Sequence, residues 1–467
     1  MRTMGLLNLF SKKKETNSAK PNDVRNEREA KQSGFVLGVR YVFPVNNSEN
    51  VFVYGRVIGT VTVGDAVYIT NFGDDDADIT LSVVIAIKQD NGEMAQTASH
   101  CNVNILLENV RKLPIKCGTV LFTRNAAATS VNDGYLDALT NVYVPHSDLV
   151  YKPEDADKLS LTDCQEIFSF YIAHKKERQN QDAERIRLNQ KAEVNFVNLL
   201  VNKLLSAKSI YCVYNKRTNE PHLFTQIIRQ EDGTSFLTEP NIMLITKAFH
   251  DFLSRKLPTE FFDVREINNE NNKEIESFLG TTFYLNGACG IAVNLDRVVI
   301  NAERIVARPD FSNIPMINRP VMNPDLMRWI LLSGQMHSVE TESEKNLFAF
   351  YSDMIGRELP KANLLVPMKY DGEFISEDET GKGIFKKDGK MIFSIINGKY
   401  DRQAIKMYTD WKRFKETMGD DWSGLIQKAG DMSNLFDCVI NLGENENTGI
   451  YLTKETFDEM ITQRKND

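Results

Sequence analysis

The residues able to do acid–base, nucleophilic or metal chemistry are scattered along this chain and do not cluster. Six histidines occur in 467 residues, none spaced as a metal ligand to another His, Cys or Glu. His100 and Cys101 are adjacent. Consecutive strand residues point to opposite faces, so this thiol and imidazole cannot form a nucleophile–base pair. No GxSxG elbow, HExxH helix or GxGxxG turn occurs. Thr380-Gly381-Lys382-Gly383 comes nearest to a phosphate cradle, but Ser376 stands where the first glycine is needed and no hydroxyl residue follows Lys382. Asn215-Lys216 runs into Arg217-Thr218 and reads as a turn. Asn294 and Asn441 each end an apolar, strand-like run. An Asn there either holds a ligand or bonds turn backbone, and the second use is the commoner. Thr238 and Thr409 read as helix caps. No residue is therefore assigned as catalytic, cofactor-binding or metal-ligating, no cofactor is expected, and the chain reads as a non-enzyme.

Bulk properties agree with a binding role. With 56 Lys+Arg against 64 Asp+Glu, the net charge is −8, which argues against bulk phosphate binding. Six widely spaced cysteines with no CxxC pair read as reduced, core-packed thiols. No run approaches the roughly 20 apolar residues of a membrane span, and no secretory signal is apparent, so a cytoplasmic location is expected. Residues 1–33 read as a disordered polar tail. Within it Gly5-Leu6-Leu7-Asn8-Leu9-Phe10, followed by Lys12-Lys13-Lys14, allows weak contact with an anionic membrane surface.

Elements must then be found to position these residues. From Gly34 to Thr123, short β-rich runs alternate with Gly and Asn, the pattern of a small closed barrel. Val61, Val63, Val67 and Ile69 alternate about Gly64-Asp65 as a hairpin would. Asp74-Asp75-Asp76 reads as a turn. Residues 125–158 read as a linker. Thr162 and Gln165 occupy capping-box positions of a helix, whose Ile167, Phe168, Tyr171 and Ile172 share a face. The charges at Lys175-Lys176 and at Arg185 and Arg187, interleaved with acids, read as a solvated helix face.

The second half carries a repeat. Phe196 to Ile210, a helix running into a strand, is answered without a gap by Tyr351 to Leu365. The opening at Thr162 is answered by Asn323-Pro324-Asp325. Leu237-Thr238-Glu239 corresponds to Tyr408-Thr409-Asp410, and Ile291–Leu295 to Cys438–Leu442. The first copy is longer, with an insertion expected around Phe261 to Ser277.

Two resemblances follow. Gly55-Arg-Val-Ile-Gly59-Thr-Val-Thr-Val-Gly64-Asp65-Ala-Val-Tyr-Ile69, with Asn102–Val110 and Ile115–Leu121, resembles the second domain of elongation factor Tu and related translational GTPases. The resemblance implies a β-barrel with Gly59 and Gly64 in tight turns and Val63 and Val67 inside. It does not bring a GTPase domain with it. Residues 196 to about 463 resemble the N-terminal domain of SseB proteins, present twice, through Tyr408-Thr409-Asp410 and Ile440-Asn441-Leu442. That family implies a fold and a binding role, with no reaction attached.

The expected fold class is multidomain α+β: an N-terminal translation-factor-type barrel followed by two duplicated SseB-like α/β modules. The boundaries are a tail at 1–33, the barrel at 34–124, a linker at 125–158, and modules at 159–310 and 311–467. The expected function is a protein-interaction scaffold of the bacterial cytoplasm with unidentified protein partners. The alternative is a ribosome- or RNA-associated factor, which an acidic chain lacking a basic, aromatic-studded sheet disfavours.

Overall fold

The computed structural model describes residues 34–462 apart from 175–181, 231, 233, 295–297, 315–318, 373, 378–382, 386–388, 399–400, 433–435 and 444. The expectations for the tail, for Lys175-Lys176 and for Thr380-Gly381-Lys382 fall outside these residues.

Six antiparallel strands close the N-terminal barrel: β1 (Val36–Pro44), β2 (Val51–Ile58), β3 (Ala66–Asn71), β4 (Thr80–Gln89), β5 (Asn102–Leu107) and β6 (Thr119–Phe122). Their order around the barrel is β3-β6-β1-β2-β5-β4, and β4 pairs back to β3. Alternate residues point inward, so Leu37, Val39, Val53, Val67, Ile87, Ile105 and Leu121 fill the interior. Gly59 and Gly64 adopt φ of 88° and 97°, where a Cβ would be strained. The expected hairpin about Gly64 is not formed. Thr60–Thr62 pairs with Thr97–Ser99, whereas β3 pairs with β4 and β6. Asp65 accepts from the Thr62 amide, which turns the chain between two different sheets.

The segment expected as a linker holds a helix, α1 (Ala128–Tyr143). A Cβ on Gly38 would lie 1.8 Å from the Gly134 carbonyl oxygen, so two glycines let α1 rest directly on β1. Tyr135, Leu139 and Tyr143 are buried between barrel and helices. Composition hid this helix because Asn, Asp and Thr dilute its apolar stripe.

Next come α2 (Leu161–Ala173) and α3 (Ala183–Leu205). The cap of α2 is Ser160, in a capping box with Asp163, two residues earlier than expected. Thr162 is instead buried within the helix.

The central sheet contains β7 (Ser209–Asn215), β8 (Glu220–Pro221), β9 (Asn241–Ile245), β10 (Phe262–Asn268), β11 (Gly290–Val293) and β12 (Val299–Asn301), with α4 (Lys247–Ser254) and α5 (Glu274–Tyr284) between strands. One edge of β7 pairs with β10 throughout; the other meets β9 at Tyr211 and Cys212, then β8 at Tyr214 and Asn215. Strand β9 runs parallel to β11, with Leu244 opposite Val293.

The C-terminal sheet follows α6 (Pro324–Gly334) and α7 (Glu342–Glu358). It comprises two sheets joined through the isolated Leu365–Tyr408 bridge: β13 (Asn363–Asp371), β14 (Lys390–Phe393) and β17 (Ser423–Lys428) in one, and β15 (Ile395–Asn397), β16 (Gln403–Met407), β18 (Asp437–Ile440) and β19 (Ile450–Leu452) in the other, with α8 (Trp411–Met418) and α9 (Lys454–Thr462). One edge of β13 pairs with β17; the other meets Tyr408 at Leu365, then β14 from Met368 on. Strand β16 runs parallel to β18, with Met407 opposite Ile440. At the fork in each sheet, the His222 amide donates to Val213 and the Ser394 amide to Pro367.

The gapless match from helix to strand needs one correction. Phe196, Leu200 and Leu204 are buried, as are Tyr351, Ile355 and Leu359. The first sheet bond then comes from Asn269 to the Lys208 carbonyl and from Ala429 to the Ala362 carbonyl. Three residues separate Leu204 from Lys208, but only Pro360 and Lys361 separate Leu359 from Ala362, within a tighter 3-10 turn. Tyr211 therefore occupies the pairing position of Leu365, one residue later than expected. The expected insertion at Phe261–Ser277 also shifts. Strand β10 pairs with β7 as β17 pairs with β13, and the extra chain is mainly α5; at the matching place after β17 the described residues hold the turn Ala429–Asp431.

Candidate functional site

The two singled-out asparagines sit directly after β11 and β18, with φ of 56° and 59°. Asn tolerates this left-handed conformation better than most residues. Each accepts, through its side-chain oxygen, the amide of the Thr that ends the neighbouring parallel strand. Thr246 N lies 2.9 Å from Asn294 Oδ1, and Thr409 N lies 2.9 Å from Asn441 Oδ1. Each asparagine Nδ2 also lies 3.0 Å from its threonine's Oγ1. A helix starts just beyond each threonine, so the Asn–Thr pair ties two strand ends to one helix. Thr238, expected in this role, lies instead beside the hairpin Ile227–Arg229/Ser235–Leu237, where its hydroxyl accepts from the Gln226 amide. Thr246 holds the position that Thr409 holds. The Leu237-Thr238 motif was misleading because Thr246 is preceded by an aliphatic strand.

The helices behind these pairs are capped differently. Asp410 caps α8 by accepting from Arg413 N at 3.0 Å. In the central sheet Lys247 follows the threonine, and Thr246 makes no side-chain cap. The carboxylate comes from the barrel: Asp75 Oδ1 accepts from Ala248 N at 3.1 Å, and Asp76 Oδ1 from Lys247 Nζ at 2.7 Å. The acidic triplet is thus a joint and more than a turn.

Asp74 completes that joint. Lys116 Nζ reaches Asp74 Oδ1 at 2.5 Å, Asp163 Oδ2 at 2.8 Å and the Lys158 carbonyl at 2.8 Å. Tyr135 Oη donates to Asp163 Oδ1 at 2.8 Å. Burial alone would lower the Lys116 pKa, but Asp163 and Asp74 raise it, so the ammonium stays charged. A second buried cation, Arg413, meets Asp410 Oδ2 at 2.7 Å, Glu220 Oε1 at 3.0 Å and Asn286 Oδ1 at 2.6 Å. Burial opposes its charge, and Asp410 and Glu220 outweigh the penalty. These groups are consumed by one another.

The remaining sequence candidates resolve plainly. His100 is exposed and left-handed, with φ of 50°, while Cys101 packs against the barrel interior; the two lie in the bend between Thr97–Ser99 and β5, so a turn separates them and not the two faces of a strand. Lys216 Nζ donates to the Thr259 carbonyl, and Asn215 Oδ1 accepts from Arg217 N, closing a turn. Burial pushes the thiols of Cys117, Cys164 and Cys438 up to about 12, which keeps them protonated. Arg185 bonds Asp148 through its Nε at 2.7 Å. Among the described residues no group of three or more His, Cys, Asp or Glu could hold a metal ion, and no helix is long and apolar enough to cross a membrane.

One surface was not foreseen. A register shift between Val39 and Tyr41 turns the end of β1 so that Tyr41 pairs with Tyr54 and Phe43 with Phe52 on the barrel's outer face. Asn104 and Lys88 continue the first row, Leu106 and Ala86 the second. Tyr41 is 45% and Phe43 50% exposed, and Lys152 Nζ lies 5.7 Å from the Tyr41 ring. The aromatic part of the basic, aromatic-studded sheet that the sequence reading expected to be lacking is therefore present, with Asp90 as well as Lys88 beside it. A β-bulge creates it, and bulges leave no clear mark in composition.

No known protein family matches the chain, and no curated protein matches it. Among solved structures, it is similar in part to translation elongation factor SelB from Methanococcus maripaludis. The apo form is 21% identical with a TM-score of 0.18, over 20% of each chain. The complex with the GTP analogue GppNHp is 20% identical with a TM-score of 0.18, over 22% of this chain and 21% of that one. The chain thus spans about a fifth of the length of these factors.

Proposed function

We propose that this chain is a non-catalytic interaction scaffold of the bacterial cytoplasm. It would combine a translation-factor-type barrel with two duplicated SseB-like modules and bind a protein partner through the barrel's aromatic outer face. The observation that carries this reading is the division of labour among side chains. Groups capable of chemistry (Lys116, Asp163, Arg413, Asp410) are buried in mutual bonds, while Tyr41, Phe43, Phe52 and Tyr54 line an outer surface. Aromatic anchors of this kind dominate protein interfaces. Support for the duplication comes from the shared pairing scheme: the fork, the parallel strand pair, and the left-handed Asn bonded to a Thr recur in the same order.

A second reading, an RNA- or ribosome-associated factor, draws on the same face, since bases stack on aromatic rings beside Lys88 and Lys152. A photo-crosslinking residue placed at Phe43 in native cells separates the two. A protein adduct lost in Tyr41→Ser supports the scaffold; an RNA adduct with salt-sensitive binding supports the second reading. Equilibrium binding of fluorescent GTP and ATP with magnesium should show no affinity tighter than millimolar. Micromolar binding abolished by Lys216→Ala or Lys382→Ala would overturn both.

A further inference from the structure

We infer that α4 is a helix whose order is conferred by the barrel, through an acidic loop that caps it from outside its own unit. A helix N-terminus leaves amides that need acceptors, normally supplied by the residue just before or at its start. In α8 that acceptor is local, Asp410, with Thr409 committed to Asn441. In α4 the threonine is likewise committed, since Thr246 Oγ1 bonds Asn294 and Thr162. Lys247 follows the threonine as Asp410 does, but it is already the first residue of α4, where its charge is unfavourable at a positive helix end. Both defects are corrected from outside. Asp75 accepts from Ala248 N, and Asp76 neutralises Lys247. The same barrel loop sets Phe72 edge-on against Phe249 of α4, with ring centroids 6.1 Å apart.

The loop itself is held rigidly. A Cβ on Gly73 would lie 2.2 Å from Asp163 Oδ1, Ser160 Oγ donates to the Gly73 carbonyl at 2.8 Å, and Asp74 meets Lys116. Loss of this contact leaves α4 as eight residues with an uncapped, wrongly charged start. Such a short helix depends on tertiary support. Its loosening uncovers Leu253 and Leu257, which are buried against Val213, Met243 and Ile245 of the central sheet.

Hydrogen exchange read by mass spectrometry on the full chain tests this. In Asp75→Ala/Asp76→Ala, amides of residues 250–254 should exchange roughly fivefold faster or more, while those of α8 stay unchanged. Adding Lys247→Asp, which removes the unfavourable charge and puts a carboxylate in the first turn of α4, should restore part of the protection. The milder Asp75→Asn keeps the side-chain shape and should give an intermediate rate. Unchanged α4 protection in the double variant would overturn the inference. Equal loosening of α4 and α8, or no rescue by Lys247→Asp, would do the same.

Discussion

At the scale of single residues, Asn441 carries the most structure per atom. Its Oδ1 and Nδ2 bond Thr409, its Nδ2 also lies 3.2 Å from the Met327 sulfur, and its backbone is left-handed. Removing the side chain strands the buried Thr409 amide, though the Thr409 hydroxyl keeps Asp410 Oδ2 at 2.8 Å, and Ala disfavours the left-handed conformation as well. Asn441→Ala is expected to cost about 2–4 kcal/mol in urea denaturation. Asn441→Gly relieves the backbone term only and should recover part of that loss. Equal stability of all three proteins would show that the bonds at this strand end matter little. Both asparagines were legible in the sequence because each closes an apolar run just before a turn. Their partner Thr246 was not, since a threonine after Leu244-Ile245 looks like any strand residue.

At the scale of elements, barrel strands and amphipathic helices were visible because apolar residues alternate or recur at helical spacing. What escaped depends on contacts distant in sequence. The segment at 125–158 read as a linker, yet α1 is buried against β1. Its stripe of Val131, Tyr135, Leu139 and Val142 is interrupted by polar residues, and Gly134 looks like a helix breaker. The glycine serves close approach instead: its Cβ position lies 2.7 Å from Val36 Cγ1, and the Cβ position of Gly38 nearly coincides with the Gly134 carbonyl. Gly134→Val should therefore push α1 off β1. The expected cost is about 3 kcal/mol, in the range for overpacking a well-filled interior, and Gly134→Ala should cost less. Thermal denaturation followed by circular dichroism would decide; an unchanged melting temperature in Gly134→Val would mean that the helix can move aside without loss.

At the scale of the whole molecule, one apolar core runs from the outer face of the barrel through the central sheet to α9. Separate units were expected from composition, and nothing local in the sequence announces the residues that weld them. Arg413 is the clearest case. It sits in α8 with only 8% of its side chain exposed, and it joins the C-terminal sheet to Glu220 and Asn286 of the central one. Such a cation is expensive to strand and costly to lose once its partners are buried. Truncating one member of a buried ion pair typically costs about 3–5 kcal/mol, because the remaining charges stay desolvated. Arg413→Met keeps the volume but leaves Asp410 and Glu220 without their shared counter-charge. Calorimetry of the full chain should show the two sheets melting together in the parent protein. In Arg413→Met the C-terminal sheet should melt first, splitting the transition. Adding Glu220→Gln removes one stranded charge and should bring the lower transition partly back toward the upper one. A single, barely shifted transition in Arg413→Met would mean that apolar packing alone couples the sheets and that the buried arginine specifies their alignment without holding them together.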